Sequence, residues 1–501
     1  MKMKTRSILA GVLAVFIAGM TAIPAMAEEK DSSADVSSVQ VYTGFSVMHE
    51  RSGDKEFYPT EAIYPQAELD DETAAEYPAL ADAFSRLNEE KKKNSEETFQ
   101  SLLKDLKERM SEDPDYSAYY TDEESFFVVR ADRHIVSLLS VSSGYSGGAH
   151  GYAGYSGVNF DPESGNRLEL SELITDAKAF KALVKDEINR LYPEVEADLT
   201  DRYFEETAVN DMIWTAGCEG VTCYFNAYTL GPYAIGAQTV LIPYEGNEEL
   251  FAGTASDVPE NYGVEIPFGY PVKIGGRELI VYGTRGENEI YNTVSISLDG
   301  EDAYSDDNIY ANVIRPTYIR SNGEDYLYLQ YSGDNDWRYL EIFRLGEKTE
   351  RVGEADLAAA PMFVEEKSLS VTAAMTNPEH LLLSARLWLF EVSNQLRTYR
   401  VGTDGMPEAT EPYFHVSNGR VLTTKEELSC QEVDEEGNVI GTVTVPAGTK
   451  MTPIRTDEVS LVDLRLEDGR IVRVEESSGS WPETIDGKDI KDIFDGIFYA
   501  G

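Results

Sequence analysis

Apolar residues in the first half of the chain follow two different periods. Residues 39–47 alternate between apolar and polar positions, which predicts an opening β-strand. From residue 80 to residue 110 apolar side chains recur every three or four positions, which predicts two helices or one long broken helix that ends before Pro114. A further helix is predicted over residues 171–191, because Pro193 stops the helical pattern.

Beyond about residue 260 the pattern changes to short strands separated by turn sequences. The clearest strand patterns lie at 278–282, 293–298, 326–331 and 339–345. Aromatic alternation around Trp337 and Trp388 indicates an imperfect repeat, so a propeller-like domain and a β-sandwich are both open interpretations. Four short strand patterns between residues 443 and 475 predict a small SH3-like barrel at the end of the chain.

These patterns predict an α+β N-terminal half, with antiparallel sheets and helices, followed by a β-rich C-terminal half. We predict a signal peptide and four domains, at residues 1–27, 38–165, 166–252, 260–425 and 426–501. A change of composition near residues 257–263 predicts a linker, so we expect the 38–252 unit to fold alone.

The first 27 residues have the pattern of a secretory signal peptide. Lys2, Lys4 and Arg6 precede an apolar run at residues 8–20, and Ala25-Met26-Ala27 provides a small-x-small cleavage site after Ala27. No cysteine follows the apolar run, and no later stretch has the apolar length of a transmembrane helix. We therefore expect a secreted, extracytoplasmic protein without a transmembrane anchor in the mature chain.

The charge balance limits the possible partners. The chain has 90 acidic and 43 basic residues and a formal net charge of −47. Such a surface repels nucleic acid, so no nucleic-acid partner is expected. It attracts cationic proteins, although a simple solvated surface is the plainer explanation.

The residue types needed for catalysis or metal binding do not occur in a diagnostic pattern. No two histidines lie within five residues of each other; they are His49, His134, His150, His380 and His415. We therefore predict no metal site and no cofactor. Ser146 lacks the leading glycine of a nucleophile motif, and residues 334–336 are better interpreted as a turn than as a calcium loop.

The three cysteines allow one local disulfide. Cys218 and Cys223 flank Glu219-Gly220, a possible turn, and could pair across a hairpin in an oxidising compartment. The alternative is two free buried thiols. In either case Cys430 is left over.

Two segments carry the candidate binding residues. In the heptad at residues 145–151, Gly147 and Gly148 allow a sharp reversal that places His150 at or near a connection between strands. The candidates are Tyr145 and His150 in the heptad, and Tyr228 and Tyr233 in the segment at residues 225–236. His150 either hydrogen-bonds the turn or contacts a ligand, and the tyrosines either pack a sheet or form a platform for stacking on a glycan.

These two segments, with Ile242-Pro243-Tyr244, resemble the paired extracytoplasmic domains of RsiV-like anti-sigma factors, the DUF4163 (PdaC-type) and DUF3298 domains. The resemblance covers about residues 38–252. The same pair forms the non-catalytic N-terminal part of some peptidoglycan deacetylases. The clustered metal ligands of the deacetylase, and the membrane span and cytoplasmic segment of the anti-sigma factor, have no counterpart in this sequence.

The resemblance implies a non-catalytic exported binding protein of the bacterial cell envelope. Its ligand would be a cell-wall component such as peptidoglycan, or a wall-directed protein such as lysozyme. The alternative is a cell-wall-active hydrolase with an unrecognised carboxylate site in the C-terminal half, because paired carboxylates cannot be singled out among 90 acids.

Overall fold

The computed structural model describes residues 38–51, 57–286, 290–333, 337–387, 393–416, 419–457, 459–475 and 484–497. The predicted signal peptide, Trp388 and the turn at 334–336 lie outside these residues. The chain divides into two units, Met1–Asp35 and Val36–Gly501, and all the described residues belong to the second.

The first part of the described chain combines strands with a long helix. Its elements are β1 (Tyr42–Arg51), β2 (Phe57–Glu68), α1 (Asp71–Glu76), α2 (Pro78–Glu112), β3 (Tyr120–Ala131), β4 (Val136–Tyr145) and β5 (Tyr152–Phe160). The predicted break in the helix is absent, because α2 runs unbroken through the charged stretch. Pairs four residues apart, including Lys92–Glu96 and Lys93–Glu97, support it there.

The next part packs three helices against a small sheet. Its elements are α3 (Leu170–Leu173), α4 (Ala177–Leu191), α5 (Ala197–Glu206), β6 (Ile213–Ala216), β7 (Gly220–Phe225) and β8 (Gln238–Pro243). The single helix predicted over 171–191 is thus two helices. Asp176 explains the division, because its side chain accepts hydrogen bonds from the Lys178 and Ala179 amides and starts α4 anew.

The remaining described chain is almost entirely β-structure. Its first strands are β9 (Tyr262–Glu265), β10 (Val272–Ile274), β11 (Arg277–Tyr282), β12 (Val294–Leu298), β13 (Glu301–Asp306), β14 (Val313–Ser321), β15 (Glu324–Ser332), β16 (Arg338–Leu345), β17 (Thr349–Ala355), β18 (Ala358–Ala359), β19 (Pro361–Val364) and β20 (Leu369–Ala373). The later elements are β21 (Leu381–Leu387), β22 (Ser393–Val401), β23 (Pro407–Ala409), β24 (Phe414–Val416), β25 (Leu422–Thr424), β26 (Leu428–Val433), β27 (Val439–Val445), β28 (Lys450–Thr456), β29 (Leu461–Leu466), β30 (Ile471–Glu475), β31 (Thr484–Ile485), β32 (Lys488–Asp489), α6 (Ile490–Ile493) and β33 (Phe494–Asp495). A mixed chain with a β-rich second half is therefore confirmed.

The first sheet contains strands from both halves of the chain. Its order is β19-β20-β1-β2-β3-β4-β5, with β2 and β3 parallel and the other neighbours antiparallel. Beyond the ladder between β1 and β20, the Ala374 amide donates to the Val41 carbonyl at 2.8 Å. An isolated 38–252 fragment would lose these partners and leave the edge of β1 unpaired.

The C-terminal strands form one large open sheet. Its twelve strands include β28, β29 and β30, which were predicted to belong to an SH3-like barrel. β24 pairs with β22 on one side and with β28 on the other, so the sheet crosses the boundary predicted at residue 426. Within the described residues none of the sheets closes into a barrel.

The predicted linker near residue 257 is held by a buried arginine. The Arg130 guanidinium donates to the Ala255 carbonyl at 2.6 Å and to the Asp257 carbonyl at 2.9 Å. It also forms an ion pair with Asp132 at 2.6 Å, and neither side chain is more than 2% exposed. This network joins β3 to the segment that leads into β9.

In the part of the chain that the structure describes, no helix is long and apolar enough to cross a membrane.

Candidate functional site

The two sequence segments with candidate binding residues meet at the edge of the first sheet. The loop after β7 lies against β5, which is the last strand of that sheet. Asn226 fixes the loop there, because its side-chain oxygen accepts from the Tyr155 amide at 2.7 Å and its NH2 group donates to the Tyr155 carbonyl at 3.0 Å. One asparagine thus satisfies both backbone groups of a residue on an edge strand.

Three aromatic side chains form an exposed group above this contact. The His150 and Tyr233 rings are stacked, with centroids 3.9 Å apart and planes 18° apart. The Tyr228 ring lies 5.7 Å from that of Tyr233. Tyr228 is 66% exposed, Tyr233 is 37% exposed and His150 is also exposed. We call His150, Tyr228 and Tyr233 the aromatic surface.

Backbone contacts set the orientation of the two stacked rings. His150 Nδ1 lies 2.8 Å from the Gly151 carbonyl oxygen, and the Tyr233 hydroxyl donates to the same oxygen at 3.1 Å. The His150 tautomer that carries its proton on Nδ1 can donate to that oxygen. The orientation of the two stacked rings is therefore set by hydrogen bonds to one carbonyl and not by packing in a core.

Two residues near the aromatic surface adopt left-handed backbone conformations. Gly147 has φ of +80°, and a Cβ atom there would lie 2.3 Å from the Tyr116 hydroxyl, so only glycine fits. Tyr228 has φ of +73°, which is rare for a large side chain. Such strain persists only where surrounding contacts impose it, and it occurs often at binding sites.

Tyr145 does not join the stack. Its hydroxyl donates to the Gly148 carbonyl at 2.9 Å and so shapes the connection between β4 and β5. The structure therefore brings together three of the four candidate residues and assigns the fourth to the turn. Sequence reasoning missed Asn226, which lies within the predicted segment but has no distinguishing neighbour in sequence.

Acidic side chains lie beside this hairpin. Asp122 accepts a short hydrogen bond from the Tyr152 hydroxyl, and Tyr152 opposes Gly144 in the hairpin ladder. Burial raises the pKa of Glu123, and the neighbouring carboxylate of Glu61 raises the pKa further. Carboxylates that repel one another in this way make the region attractive to a cationic group.

The two cysteines considered for a disulfide are free thiols in the structure. Cys223 lies in the core formed by α4 and the β6-β7-β8 sheet, whereas Cys218 packs into the core beneath β10 to β12. The expected alternative of buried free thiols is therefore the one observed. The two side chains belong to different cores on either side of the sheet, so their short separation in sequence does not bring the two sulfur atoms together.

We expect all three cysteines to resist thiol reagents in the native protein. Burial raises the pKa of Cys218 and Cys223 to about 12 and that of Cys430 to about 11, so the reactive thiolate is scarce at neutral pH. A colorimetric thiol assay without reductant should detect none natively and all three in guanidinium chloride. Detection of one thiol after unfolding would instead indicate a Cys218–Cys223 disulfide.

Within the described residues, no group of three or more histidine, cysteine or acidic side chains is placed to hold a metal ion. Two histidines contact single carboxylates. His134 Nε2 lies 2.8 Å from Asp257, and His415 Nε2 lies 2.8 Å from Glu411.

Comparison with known proteins identifies one region of the chain. Residues 160–245 match a family described as a protein of unknown function, DUF3298. This range contains Tyr228 and Tyr233 but ends before β9, and His150 precedes it. The DUF3298 part of the resemblance is therefore confirmed, while the RsiV-like and DUF4163 assignments stay predictions.

Two solved structures of DUF3298 family proteins are similar to the chain at low identity. One, from Bacteroides fragilis, is 16% identical, with a TM-score of 0.33, and the similarity covers 43% of this chain and 96% of that one. The other, from Pseudomonas aeruginosa, is 16% identical, with a TM-score of 0.32, and covers 44% of this chain and 97% of that one. No curated protein matches the chain.

Proposed function

We propose that this is a non-catalytic exported binding protein of the bacterial cell envelope that recognises a glycan component of the cell wall. The observation that carries the proposal is the exposed stack of His150 on Tyr233, with Tyr228 beside it. Stacked rings present a flat apolar face bordered by polar N–H and O–H groups. A sugar ring has the complementary arrangement, with apolar C–H faces and hydroxyl groups at its edge.

The exposure of these rings favours binding over a packing role. Aromatic side chains that stabilise a sheet are buried, as the neighbouring Tyr155 and Tyr224 are. The aromatic surface instead faces solvent and includes a residue in a strained backbone conformation. Exposed aromatic groups on a loop held by a rigid sheet are typical of recognition sites.

A cationic wall-directed protein such as lysozyme is a second candidate ligand. The acidic residues beside the hairpin, Glu61, Asp122 and Glu123, favour it, as does the net charge of −47. The proposed cleavage after Ala27, and hence export, belongs to the same proposal.

The hydrolase alternative receives less support from the C-terminal half. Among the described residues of that half, the two least exposed carboxylates, Glu341 and Asp463, are held by arginines: Arg351 contacts Glu341, and Arg455 contacts Asp463 at 2.5 Å. Each of these carboxylates is already engaged by an arginine, so neither is free to contact a substrate.

Replacing Tyr233 with alanine tests the glycan proposal. We expect affinity for soluble peptidoglycan fragments to fall by roughly tenfold, because the ring that organises the stack is removed. Tyr282→Ala is the matched control, since Tyr282 is 38% exposed on β11 and belongs to no part of the aromatic surface. Isothermal titration calorimetry of the full mature chain measures the difference.

Equal affinity of the two variants would contradict the proposal. The same variants should be tested against lysozyme and an unrelated basic protein at physiological salt, where charges are screened beyond roughly 8 Å. If lysozyme and the unrelated basic protein bind both variants with equal affinity, the attraction of lysozyme is nonspecific. If lysozyme binding alone depends on Tyr233, the ligand is the protein and not the glycan.

A further inference from the structure

A cleft lies between the first sheet and the five-stranded sheet β17-β16-β15-β14-β9. Its volume is about 280 Å³, and residues of β1, β3, β4, β9 and β14 line it. None of the three side chains of the aromatic surface is among its lining residues.

The pairing of β3 and its contact with β9 place several of the residues that line the cleft. The parallel strands β2 and β3 pair over four residues only, Thr60–Ile63 with Tyr120–Glu123. Further along β3, the Val128 amide donates to the Glu265 carboxylate at 2.8 Å. Side chains alternate along a strand, so Glu123, Ser125 and Phe127 share the face of β3 that lines the cleft.

A carboxylate and a guanidinium project from the opposite wall. Glu265 of β9 lies directly across from Thr317 of β14, and Arg315 is two residues from Thr317. Glu265 and Arg315 therefore point to the same side of the sheet as diagonal neighbours, with Cα atoms roughly 7–8 Å apart. Both side chains line the cleft and are partly accessible from it.

These charges are desolvated without being joined directly. Burial raises the pKa of Glu265 and lowers the pKa of Arg315. The Glu265 carboxylate and the Arg315 guanidinium attract each other, but within the described residues they are too far apart to form an ion pair. Charges that have lost much of their hydration without forming an ion pair are unfavourable, so a group that enters between them and pairs with each is stabilised.

The rest of the lining is apolar and aromatic. Phe45 is 47% exposed, and Phe127 and Phe268 also line the cleft. A volume of 280 Å³ corresponds to about nine water molecules. It lies just below the range of pockets for drug-sized ligands, which favours a smaller ligand.

We propose that this cleft binds a small zwitterionic ligand of the α-amino acid class with an apolar side chain. The ligand carboxylate pairs with Arg315, and its ammonium group pairs with Glu265 and Glu123. The apolar side chain packs against Phe45 and Phe127. Two acidic groups and one basic group face the cleft, which suits a ligand that carries a cation as well as an anion.

Three related probes test the class of ligand: phenylalanine, as both enantiomers; 3-phenylpropionate, which lacks the ammonium group; and 2-phenylethylamine, which lacks the carboxylate. Each is titrated into the full mature chain by calorimetry at millimolar concentrations. We expect at least one enantiomer of phenylalanine to bind at least about tenfold more tightly than either analogue, because each analogue loses one charge-assisted contact. Absence of phenylalanine binding, or an analogue that binds equally well, would overturn the proposal.

Variants locate the binding in the cleft. We expect Glu265→Gln to weaken phenylalanine binding by roughly tenfold, while its amide oxygen still accepts from the Val128 amide. The pKa of Glu265 is higher in the folded state than in the unfolded state. Ionisation of Glu265 therefore lowers the stability of the fold, and this loss grows as pH rises from the unfolded-state pKa to the folded-state pKa. The neutral glutamine should therefore fold at least as stably at neutral pH, and lost binding cannot be assigned to unfolding.

Arg315→Met should also weaken binding, whereas Arg320→Met is the control. Arg320 lies on the same strand, pairs with Asp325 at 2.7 Å and does not line this cleft. Phenylalanine binding that survives in Glu265→Gln and Arg315→Met would place the ligand elsewhere and refute the assignment. The aromatic surface is untouched by these changes, so peptidoglycan binding serves as an independent readout of the proposed function.

Discussion

Replacing Arg130 with methionine is expected to lower the free energy of unfolding by about 3–5 kcal/mol. The guanidinium is completely buried and donates to Asp132, Ala255 and Asp257. Burial alone would lower its pKa, but the Asp132 carboxylate, together with Cys218 and Tyr244, holds the pKa above its ordinary value. Methionine fills a similar volume, so most of the loss would come from the buried Asp132 charge and two carbonyl groups left without their donor.

Arg133→Met provides the matched control. Arg133 lies three residues away and approaches the Asp257 side chain at 3.8 Å, but it is 38% exposed, and such surface pairs contribute about 0–1 kcal/mol. Urea denaturation followed by circular dichroism measures both variants. Limited proteolysis adds a local test, because Arg130→Met should speed cleavage near residues 252–260. Equal unfolding midpoints for the two variants would contradict the role assigned to Arg130.

Replacing Asp463 with asparagine should destabilise the C-terminal sheet by a similar amount, about 3–5 kcal/mol. Asp463 is fully buried and lies directly across from Arg455 on β28 and from Arg473 on β30. The carboxylate accepts from Arg455 at 2.5 Å and from Arg473 at 2.7 Å and 2.9 Å. Asparagine keeps the shape but removes the negative charge that the two buried guanidinium groups share.

Asp468→Asn is the control, because the same substitution then occurs on the surface in the turn between β29 and β30. Asp468 pairs with Arg470 at 2.7 Å, and both side chains are exposed. We expect little change in its unfolding midpoint. Hydrogen exchange should show faster opening of β28 to β30 in Asp463→Asn, and unchanged protection there would count against the prediction.

Local patterns predicted several of the C-terminal strands. The predicted strands at 278–282, 326–331 and 339–345 correspond to β11, β15 and β16 within two residues at each end. The alternation of side chains and the glycine-containing turns depend only on near neighbours in sequence, so they are visible without tertiary structure. The position of Asp463 within an apolar strand was visible too, but its two arginine partners were not.

The candidate site was predictable in part for the same reason. His150 was singled out by its glycine-rich heptad, and Tyr228 and Tyr233 by the segment at residues 225–236 that resembles a DUF3298 domain. Their ring stacking depends on Asn226, which brings two segments together across 71 residues. Hydrogen bonds between distant segments produce no periodic pattern in the sequence, so they cannot be predicted from it. The diagonal placement of Glu265 and Arg315 on neighbouring strands could not be predicted for the same reason.

The sequence alone therefore established the types of several elements, the candidate aromatic residues and the resemblance to a DUF3298 domain. Tertiary structure decided which elements belong together. The first sheet takes β19 and β20 from the second half, and the C-terminal sheet continues across the boundary predicted at residue 426. The two cysteines five residues apart lie in different cores. The physical reason is that strand patterns report which faces are buried, whereas the partner of each edge depends on backbone hydrogen bonds that any strand can offer.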